Sequence, residues 1–225
     1  SYMLYDDMVK FKTSFDKINS KDYEFVLFPP ILYLSMFKDS KYKVGAQNFY
    51  SYKMGSFTGE LNLESLKNIG INYTLVGHYE RRKIMYEEYE MAKEKLFKSL
   101  SSKCQTILCV GEEKRMRKSF SYVKKELNFY LRSIESSSIK YLSIAYEPNW
   151  AIGTGDVQDI SKIEQTVNLI KDYVHKKYNF EVEVYYGGSI NGENIKAIYD
   201  VCDGVVLGKI STDYKSLNNL LSNIK

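Results

Sequence analysis

The sequence predicts an α/β fold built on a parallel sheet, in the form of a (β/α)₈ barrel without its first strand. Seven short β-like runs alternate with amphipathic helical segments from one end of the chain to the other. The runs carry apolar residues on both faces, which is typical of parallel strands that helices cover on both sides. The chain also opens on a helical pattern that no β-like run precedes.

The alternation covers the whole chain. The β-like runs are residues 24–28, 42–47, 73–77, 105–111, 141–146, 182–187 and 203–208. Between and after them, apolar residues recur at helical spacing. These helical segments are residues 61–69, 86–100, 119–134, 160–178, 191–199 and 213–224. No linker-like tract interrupts the pattern, so we expect one domain over residues 1–225.

The N-terminal segment helps to choose between two arrangements of this sheet. An open doubly wound sheet and a closed eight-stranded barrel both fit the alternation. Apolar residues from Leu4 to Ile18 recur at helical spacing, so the chain begins with a helix. Each helix of a (β/α)₈ barrel follows a strand, which favours a barrel with an eighth strand upstream of Ser1.

Composition and charge narrow the function classes. The net charge is +4 without a basic block, which gives no nucleic-acid footprint and leaves small anions as candidate partners. The chain has three cysteines, which is an odd number, and two of them, Cys104 and Cys109, lie in an apolar run. We therefore expect reduced core thiols rather than a disulfide or a metal site. There is no apolar run of about 18 residues and no signal-peptide pattern, so we expect a cytoplasmic protein without a membrane partner.

Polar side chains and glycine-bearing turns follow the predicted strands. In a barrel, the loops after the strands gather on one rim, where catalytic side chains lie. The rim segments are Phe28-Pro29-Pro30, Gln47-Asn48, Gly77 to Arg82, Gly111-Glu112, Glu147, Gly187 to Ser189 and Gly208-Lys209. The last two turns follow strands seven and eight, where this fold often binds a phosphate on backbone N–H groups. A tight exit from a strand explains either turn alone, but the pair favours a phosphate site.

The two histidines differ in their surroundings. His175 lies in the polar part of a helical segment, and we expect it to face solvent. A lone histidine such as His78 is commonly a core residue that hydrogen-bonds to backbone. Because His78 directly follows a strand-like run and precedes several charges, a position on the rim with a chemical role is favoured.

The decapeptide YEPNWAIGTG, residues 146–155, predicts a stiff segment followed by a flexible one. Pro148 fixes φ and Trp150 is a large anchor, whereas Gly153 and Gly155 can adopt backbone angles that other residues avoid. A hinged flap would be built in this way. An ordinary strand-to-helix loop is the alternative.

Six segments resemble those of the triosephosphate isomerase family, in that family's order and spacing. They are VGAQN (44–48) with GSFTGE (55–60), GHYERR (77–82), CVGE (109–112), YEPNWAIGTG (146–155), YGGSI (186–190) and DGVVLGK (203–209). The resemblance spans nearly the whole chain. It implies a TIM barrel and an isomerase of glycolysis and gluconeogenesis that interconverts dihydroxyacetone phosphate and D-glyceraldehyde 3-phosphate. It also implies a homodimer, with no cofactor and no metal.

The resemblance implies roles for three catalytic residues. Glu147 resembles the family's base, which moves a proton between two adjacent carbons. His78 resembles its electrophile, a neutral imidazole, and this enzyme family is itself the standard example of such a histidine. Glu80 resembles the carboxylate beside the site, although pairing with Arg81 or Arg82 to brace the turn is an equally simple role.

Residues 147–158 resemble the family's lid over the substrate, with hinges at 148–150 and 156–158 around a tip at 151–155. The resemblance makes Gly153, Ser189, Gly208 and Lys209 phosphate-binding residues. Ile152 and Val206 match an apolar pair around the base, and both are also explained as core residues.

Residues 48–60 match the family's loop that inserts into a second subunit. The resemblance implies that Thr58 reaches toward the neighbouring active site, and a simple turn residue is the alternative.

Three departures from the family pattern affect these expectations. Tyr79 replaces a small serine after the histidine, and Lys209 replaces a glycine. The family's first strand ends in Asn-x-Lys, whose lysine would lie one position before Ser1, so we predict that the sequence is incomplete at its N-terminus. There are two alternative interpretations. One is a catalytically inactive barrel that binds phosphometabolites, and the other is a different phosphosugar enzyme such as an epimerase.

Overall fold

The structure, a computed structural model, describes residues 3–18 and 23–224. Its sheet contains seven parallel strands that pair in the order in which they occur along the chain. The strands are β1 Val26–Leu27, β2 Lys43–Ala46, β3 Tyr73–Val76, β4 Gln105–Val110, β5 Leu142–Tyr146, β6 Val184–Gly187 and β7 Gly204–Val206. This curled parallel sheet confirms the predicted β/α barrel class. Among the described residues β1 and β7 are its edges, and the strand predicted upstream of Ser1 stays a prediction.

The helices alternate with the strands and cover the outer face of the sheet. They are α1 Tyr5–Phe15, α2 Leu63–Asn68, α3 Tyr79–Lys83, α4 Tyr89–Ser101, α5 Ser119–Tyr130, α6 Ile160–Tyr178, α7 Ile195–Tyr199 and α8 Tyr214–Ile224. Four 3₁₀ segments lie at Ile31–Phe37, Ser136–Tyr141, Asn149–Ala151 and Lys209–Thr212. No helix in the described part of the chain is both long and apolar enough to cross a membrane.

Two helices differ most from the sequence-based prediction, and both are shorter than expected. The segment predicted as 119–134 leaves the helix after Tyr130, because Leu131 has φ −91° and ψ 2°. The segment predicted as 191–199 becomes helical at Ile195. Before that, the Asn191 and Asn194 side chains accept hydrogen bonds from the backbone of the turn at 191–194, an arrangement that competes with helix formation.

The core has an outer and an inner layer. The outer layer lies between sheet and helices and includes Leu96, Leu108 and Val123. Ile107 and Cys109 alternate with Leu108 along β4 and belong to the small inner cluster instead. The strands are therefore covered on both faces, as the apolar residues on both faces of the runs predicted.

The cysteines follow the sequence-based expectation. Cys104 and Cys109 are buried, Cys202 is partly buried, and all three are free thiols. Burial, together with the nearby carboxylate of Glu147, raises the pKa of the Cys109 thiol well above its ordinary value. Cys109 is thus a neutral core residue at neutral pH.

Candidate active site

A carboxylate and an imidazole approach each other at the carboxyl ends of two strands. Glu147 directly follows β5, and His78 is the second residue after β3. Nε2 of His78 lies 3.9 Å from Oε2 of Glu147, and their side chains are 23% and 4% exposed. Because β3, β4 and β5 are parallel neighbours in register, their ends lie on the same rim. The topology thereby brings together two residues that are far apart in sequence.

The imidazole of His78 is held in one orientation by the start of the next helix. His78 is the N-cap of α3, and its Nδ1 accepts a hydrogen bond of 3.3 Å from the backbone N–H of Glu80. A ring nitrogen that accepts a hydrogen bond carries no proton. This contact favours a ring orientation in which Nε2 is the nitrogen nearer Glu147 and is available as a donor.

Glu147 lies in a slot formed by two glycines, one against its carboxylate and one against its main chain. A Cβ atom added to Gly187 would lie 2.7 Å from Oε1 and from Cγ of Glu147. One added to Gly111 would lie 1.9 Å from the Glu147 carbonyl oxygen. Oε2 is buried and has no hydrogen-bond partner in the described part of the protein. The slot thus fixes the carboxylate and leaves one oxygen able to accept a proton.

The predicted apolar pair lies on two sides of the site. Ile152 is partly buried in the loop after β5. Val206 ends β7 and packs on the inner cluster, which contains Cys109 and Ala145. Cys109 also lies beside Glu147. Val206 therefore belongs to the inner core and at the same time to the surroundings of the Glu147 carboxylate.

The loop that follows Glu147 is docked on the turn after β6. Ser189 Oγ donates to the carbonyl oxygen of Ala151 at 2.6 Å and accepts from the N–H of Gly155 at 3.0 Å. Gly153 and Gly155 have φ values of 71° and 85°, in the left-handed region that favours glycine. The conformational role predicted for these glycines is confirmed, and one serine hydroxyl bridges both ends of the tip.

Both hinge segments of this loop meet at one buried carboxylate. Glu112 is fully buried. Its Oε1 accepts from Ser119 Oγ at 2.8 Å, Tyr146 OH at 3.1 Å, Gln158 Nε2 at 3.3 Å and Trp150 Nε1 at 3.4 Å. Trp150 belongs to the first predicted hinge and Gln158 to the second. Sequence analysis placed Glu112 on the rim but assigned it no role, because its position after a strand was the only signal.

An arginine forms a second link between the hinges at the surface. The guanidinium carbon of Arg115 lies 4.2 Å from the centre of the Trp150 ring, which is a cation–π distance. Arg115 Nη2 also lies 3.7 Å from Oδ2 of Asp156. Sequence analysis missed Arg115, since an exposed arginine in a charged loop has no distinguishing pattern.

The two glycine-bearing turns of the predicted phosphate site are neighbours. Gly187 of β6 is in register with Val206 of β7, so the turns after these strands leave the same rim side by side. A Cβ atom on Gly188 would lie 2.5 Å from the Tyr186 hydroxyl, which excludes a side chain there. Gly208 and Lys209 are exposed, and Lys209 begins a 3₁₀ turn.

The remaining predicted residues lie at the surface. Glu80 and Thr58 are exposed. Arg81 pairs with Glu87 and Arg82 with Glu126, so the brace considered for Glu80 is made by other carboxylates. His175 is exposed and lies 2.7 Å from Glu181, as its polar surroundings predicted.

Comparison with known proteins agrees with this geometry. The family model described as triosephosphate isomerase matches residues 3–224. The chain belongs to the triosephosphate isomerase family. The resemblance inferred from six short segments is therefore confirmed over nearly the whole chain.

Several curated relatives of the family are similar along most of their length. Triosephosphate isomerase of Alkaliphilus metalliredigens is 37% identical over 209 residues, which cover 87% of this chain and 84% of the relative. The enzyme of Lawsonia intracellularis is 36% identical over 210 residues, covering 88% and 83%. That of Mycoplasma genitalium is 37% identical over 177 residues, covering 76% and 72%.

The contacts of Ser189 predict a loosened loop in Ser189→Ala. The change removes one hydroxyl that makes two hydrogen bonds to the loop. Each is expected to contribute about 1 kcal/mol, so amide exchange at Gly155 should be at least about fivefold faster. Hydrogen exchange measures this, and quenching of Trp150, the single tryptophan, reports the hinge. Ser222→Ala, on the exposed face of α8, is the matched control. Equal exchange in both variants would show that Ser189 does not hold the loop.

Proposed function

We propose that this protein interconverts dihydroxyacetone phosphate and D-glyceraldehyde 3-phosphate through an enediolate, with Glu147 as base and His78 as electrophile. As a member of the triosephosphate isomerase family, the protein is an isomerase. The observation that carries the mechanistic proposal is the approach of His78 Nε2 to within 3.9 Å of a buried carboxylate oxygen. The two groups are close enough to act on one small substrate.

Glu147 removes a proton from the carbon beside the substrate carbonyl and returns it to the neighbouring carbon. One carboxylate can serve both positions because the two carbons are adjacent. Its Oε2 has no partner among the described residues, so accepting the proton breaks no protein hydrogen bond. A positioned general base contributes about 10²–10⁴-fold to the rate, so other groups must supply the rest.

His78 stabilises the negative charge that develops on the substrate oxygen. Its Nδ1 accepts from Glu80, which leaves Nε2–H as the donor toward that oxygen. This enzyme family is the standard example of a neutral imidazole in this role. Glu80 lies beside the site, and its backbone N–H orients the ring.

The phosphate binds to Gly153 and Ser189 and to the backbone N–H groups of Gly208 and Lys209. Its binding energy holds the loop 147–158 closed as a lid and excludes water. Closure matters because an exposed enediolate with a neighbouring phosphate tends to eliminate that phosphate. Ile152 and Val206 form the apolar walls around the base.

The protein forms a homodimer through the loop at residues 48–60. Tyr52, Met54 and Phe57 of this loop are 52%, 72% and 39% exposed. Tyr50, Tyr52 and Phe57 stack with centroid distances of 4.9–5.4 Å, which makes the loop a preformed apolar projection. Such a projection is suited to insertion into a second copy of the chain. Thr58 lies in the same loop and would reach the neighbouring site.

The protein acts in the cytoplasm. Its free thiols support this location, because they persist in a reducing compartment.

Substitution of Glu147 tests its role as base. In the full-length gene product, Glu147→Asp should lower kcat about 10²-fold, because the carboxylate retracts by about 1 Å. Glu147→Gln removes the base and should lower kcat by about 10²–10⁴-fold. A coupled assay of glyceraldehyde 3-phosphate formation measures both, with Glu164→Gln on the exposed face of α6 as control. Full activity of Glu147→Gln would exclude Glu147 as the base.

The glycine slot predicts a loss of activity in Gly187→Ala. The new methyl group would lie 2.7 Å from the Glu147 carboxylate and displace it. We expect kcat to fall at least about tenfold, by the sensitivity of catalysis to small displacements, with KM little changed. Gly192→Ala is the matched control, because its methyl group would meet the end of the exposed Asn223 side chain. If both variants keep wild-type kcat, the slot does not position the base.

The proposed dimer predicts that Met54→Lys weakens association. A charge placed on the apolar projection must be desolvated when the loop inserts, so the dimer should dissociate at a higher protein concentration. Sedimentation equilibrium measures this shift, which we expect to be at least tenfold. Phe97→Lys introduces the same charge at an exposed apolar residue of α4. A dimer constant that is the same for both variants would place the interface elsewhere.

A further inference from the structure

We propose that Arg82 and Glu126 are positioning residues that hold His78 and Glu147 at their reacting distance. This inference rests on the proposed function and deepens it. Arg82 Nη1 lies 2.7 Å from Glu126 Oε1, and the two side chains are 7% and 4% exposed. The pair is buried between β3, β4 and the helices that follow them. Neither residue is among those proposed to contact the substrate.

The arginine end of the pair holds the peptide that precedes His78. Arg82 Nε donates to the carbonyl oxygen of Gly77 at 2.8 Å. Gly77 has φ of 72° and directly precedes His78. A glycine in this conformation has little intrinsic backbone restraint. The hydrogen bond supplies that restraint from a side chain that is itself fixed by an ion pair.

The glutamate end of the pair holds the backbone against which Glu147 packs. Glu126 Oε2 accepts from the N–H of Gly111 at 2.8 Å. Gly111 approaches the carbonyl of Glu147 so closely that an added Cβ atom would lie 1.9 Å from that oxygen. The Glu147 N–H also donates to the Val110 carbonyl at 2.8 Å. A shift of Gly111 would therefore shift the base.

The hydrogen bonds made by this pair indicate a positioning role in addition to any contribution to stability. Burial of an ion pair is itself weak evidence for stabilisation, since the loss of hydration offsets the attraction. Burial raises the pKa of Glu126, although the Arg82 charge and the Gly111 N–H oppose the shift. The atoms left over after the ion pair, Nε of Arg82 and Oε2 of Glu126, bind the backbone at the ends of β3 and β4. These are Gly77, which precedes the proposed electrophile, and Gly111, against which the proposed base packs. The pair thus acts as a strut between the two chemical groups.

The strut predicts an effect on turnover rather than on substrate affinity. The proposed phosphate contacts lie on the loop after β5 and the turns after β6 and β7, whereas the pair contacts the ends of β3 and β4. A displacement of about 1 Å between reacting groups costs about 10²-fold in rate. Loss of the strut should therefore lower kcat and leave KM nearly constant.

Glu126→Gln in the full-length gene product tests the proposal. An amide has one oxygen, so it cannot accept from both Arg82 and Gly111 as the carboxylate does. We expect kcat to fall at least tenfold and KM to change less than twofold. The dissociation constant of phosphoglycolate, whose carboxylate mimics the enediolate, should rise in parallel with the loss of kcat. That of inorganic phosphate should stay constant.

Tyr89→Phe is the matched control. The Tyr89 hydroxyl accepts from Arg82 at 2.8 Å and donates to Glu126 at 3.2 Å, and it is not required for either link to the strand ends. This variant should lose stability and keep kcat within twofold. The lysine of Arg82→Lys cannot hydrogen-bond to both Gly77 and Glu126 in the way the guanidinium does. This variant should therefore lower kcat as Glu126→Gln does. It serves as the test variant if Glu126→Gln does not fold.

One result would overturn this proposal, and a different result would refute the proposed function on which it rests. Unchanged kcat and phosphoglycolate affinity in Glu126→Gln and Arg82→Lys, with melting temperatures lowered as in Tyr89→Phe, would make the pair purely structural. An inactive wild-type protein would instead refute the proposed function. In that case crystal structures of the variants decide, because a preserved approach of His78 to Glu147 would refute the strut and a lost approach would support it.

Discussion

The site depends on keeping a buried carboxylate next to an imidazole without neutralising either group by a protein contact. A buried carboxylate without hydrogen bonds is costly. In this chain the buried oxygen without a partner is Oε2 of Glu147, which faces His78 at 3.9 Å. Gly111 and Gly187 leave the room that this requires, since any side chain at either position would collide with Glu147. The glycines at these strand ends are therefore part of the proposed catalytic geometry.

The proposed lid answers the same constraint, because a carboxylate with the proposed role of base must be exposed to bind substrate and dry to act on it. Three independent contacts couple the ends of the loop. Glu112 bridges the hinges in the core, Arg115 bridges them at the surface, and Ser189 bridges the tip. A loop that was held at one hinge only could dock on the barrel with part of its residues. Coupling both hinges to shared groups favours a loop that docks as a unit.

Sequence analysis predicted the strands and the rim better than the contacts behind the rim. The seven apolar runs identified the strands because parallel strands have no polar face. The helix at 160–178 was predicted at both ends, whereas the helix at 79–83 was missed. That helix has five residues, too few for a periodicity, and it begins where His78 caps it. The proximity of His78 and Glu147 followed from the rule that strand ends share a rim.

The contacts of Glu112, Arg115, Arg82 and Glu126 could not be predicted. Each joins residues whose spacing along the chain has no characteristic period, and each depends on how a side chain crosses from one β/α unit to the next. Glu126 illustrates this limit. It lies in the predicted helical segment 119–134, yet it is buried and hydrogen-bonds to Arg82, Tyr89 and the Gly111 N–H.

The distribution of unsatisfied polar atoms shows where the fold departs from ordinary packing. Among the described residues, the buried side-chain atoms without a partner are Glu112 Oε2, Tyr130 OH, Glu147 Oε2 and Asn149 Oδ1. Glu112, Glu147 and Asn149 lie on the rim or in the lid hinge, and the Tyr130 hydroxyl reaches Gly77, where an added Cβ atom would lie 3.5 Å from it. Thr74 and Thr106, two buried polar residues of the strands, both have hydrogen-bond partners. Natural proteins satisfy most such groups, and exceptions are expected at functional sites, so this clustering supports the proposed site at the rim independently of any motif.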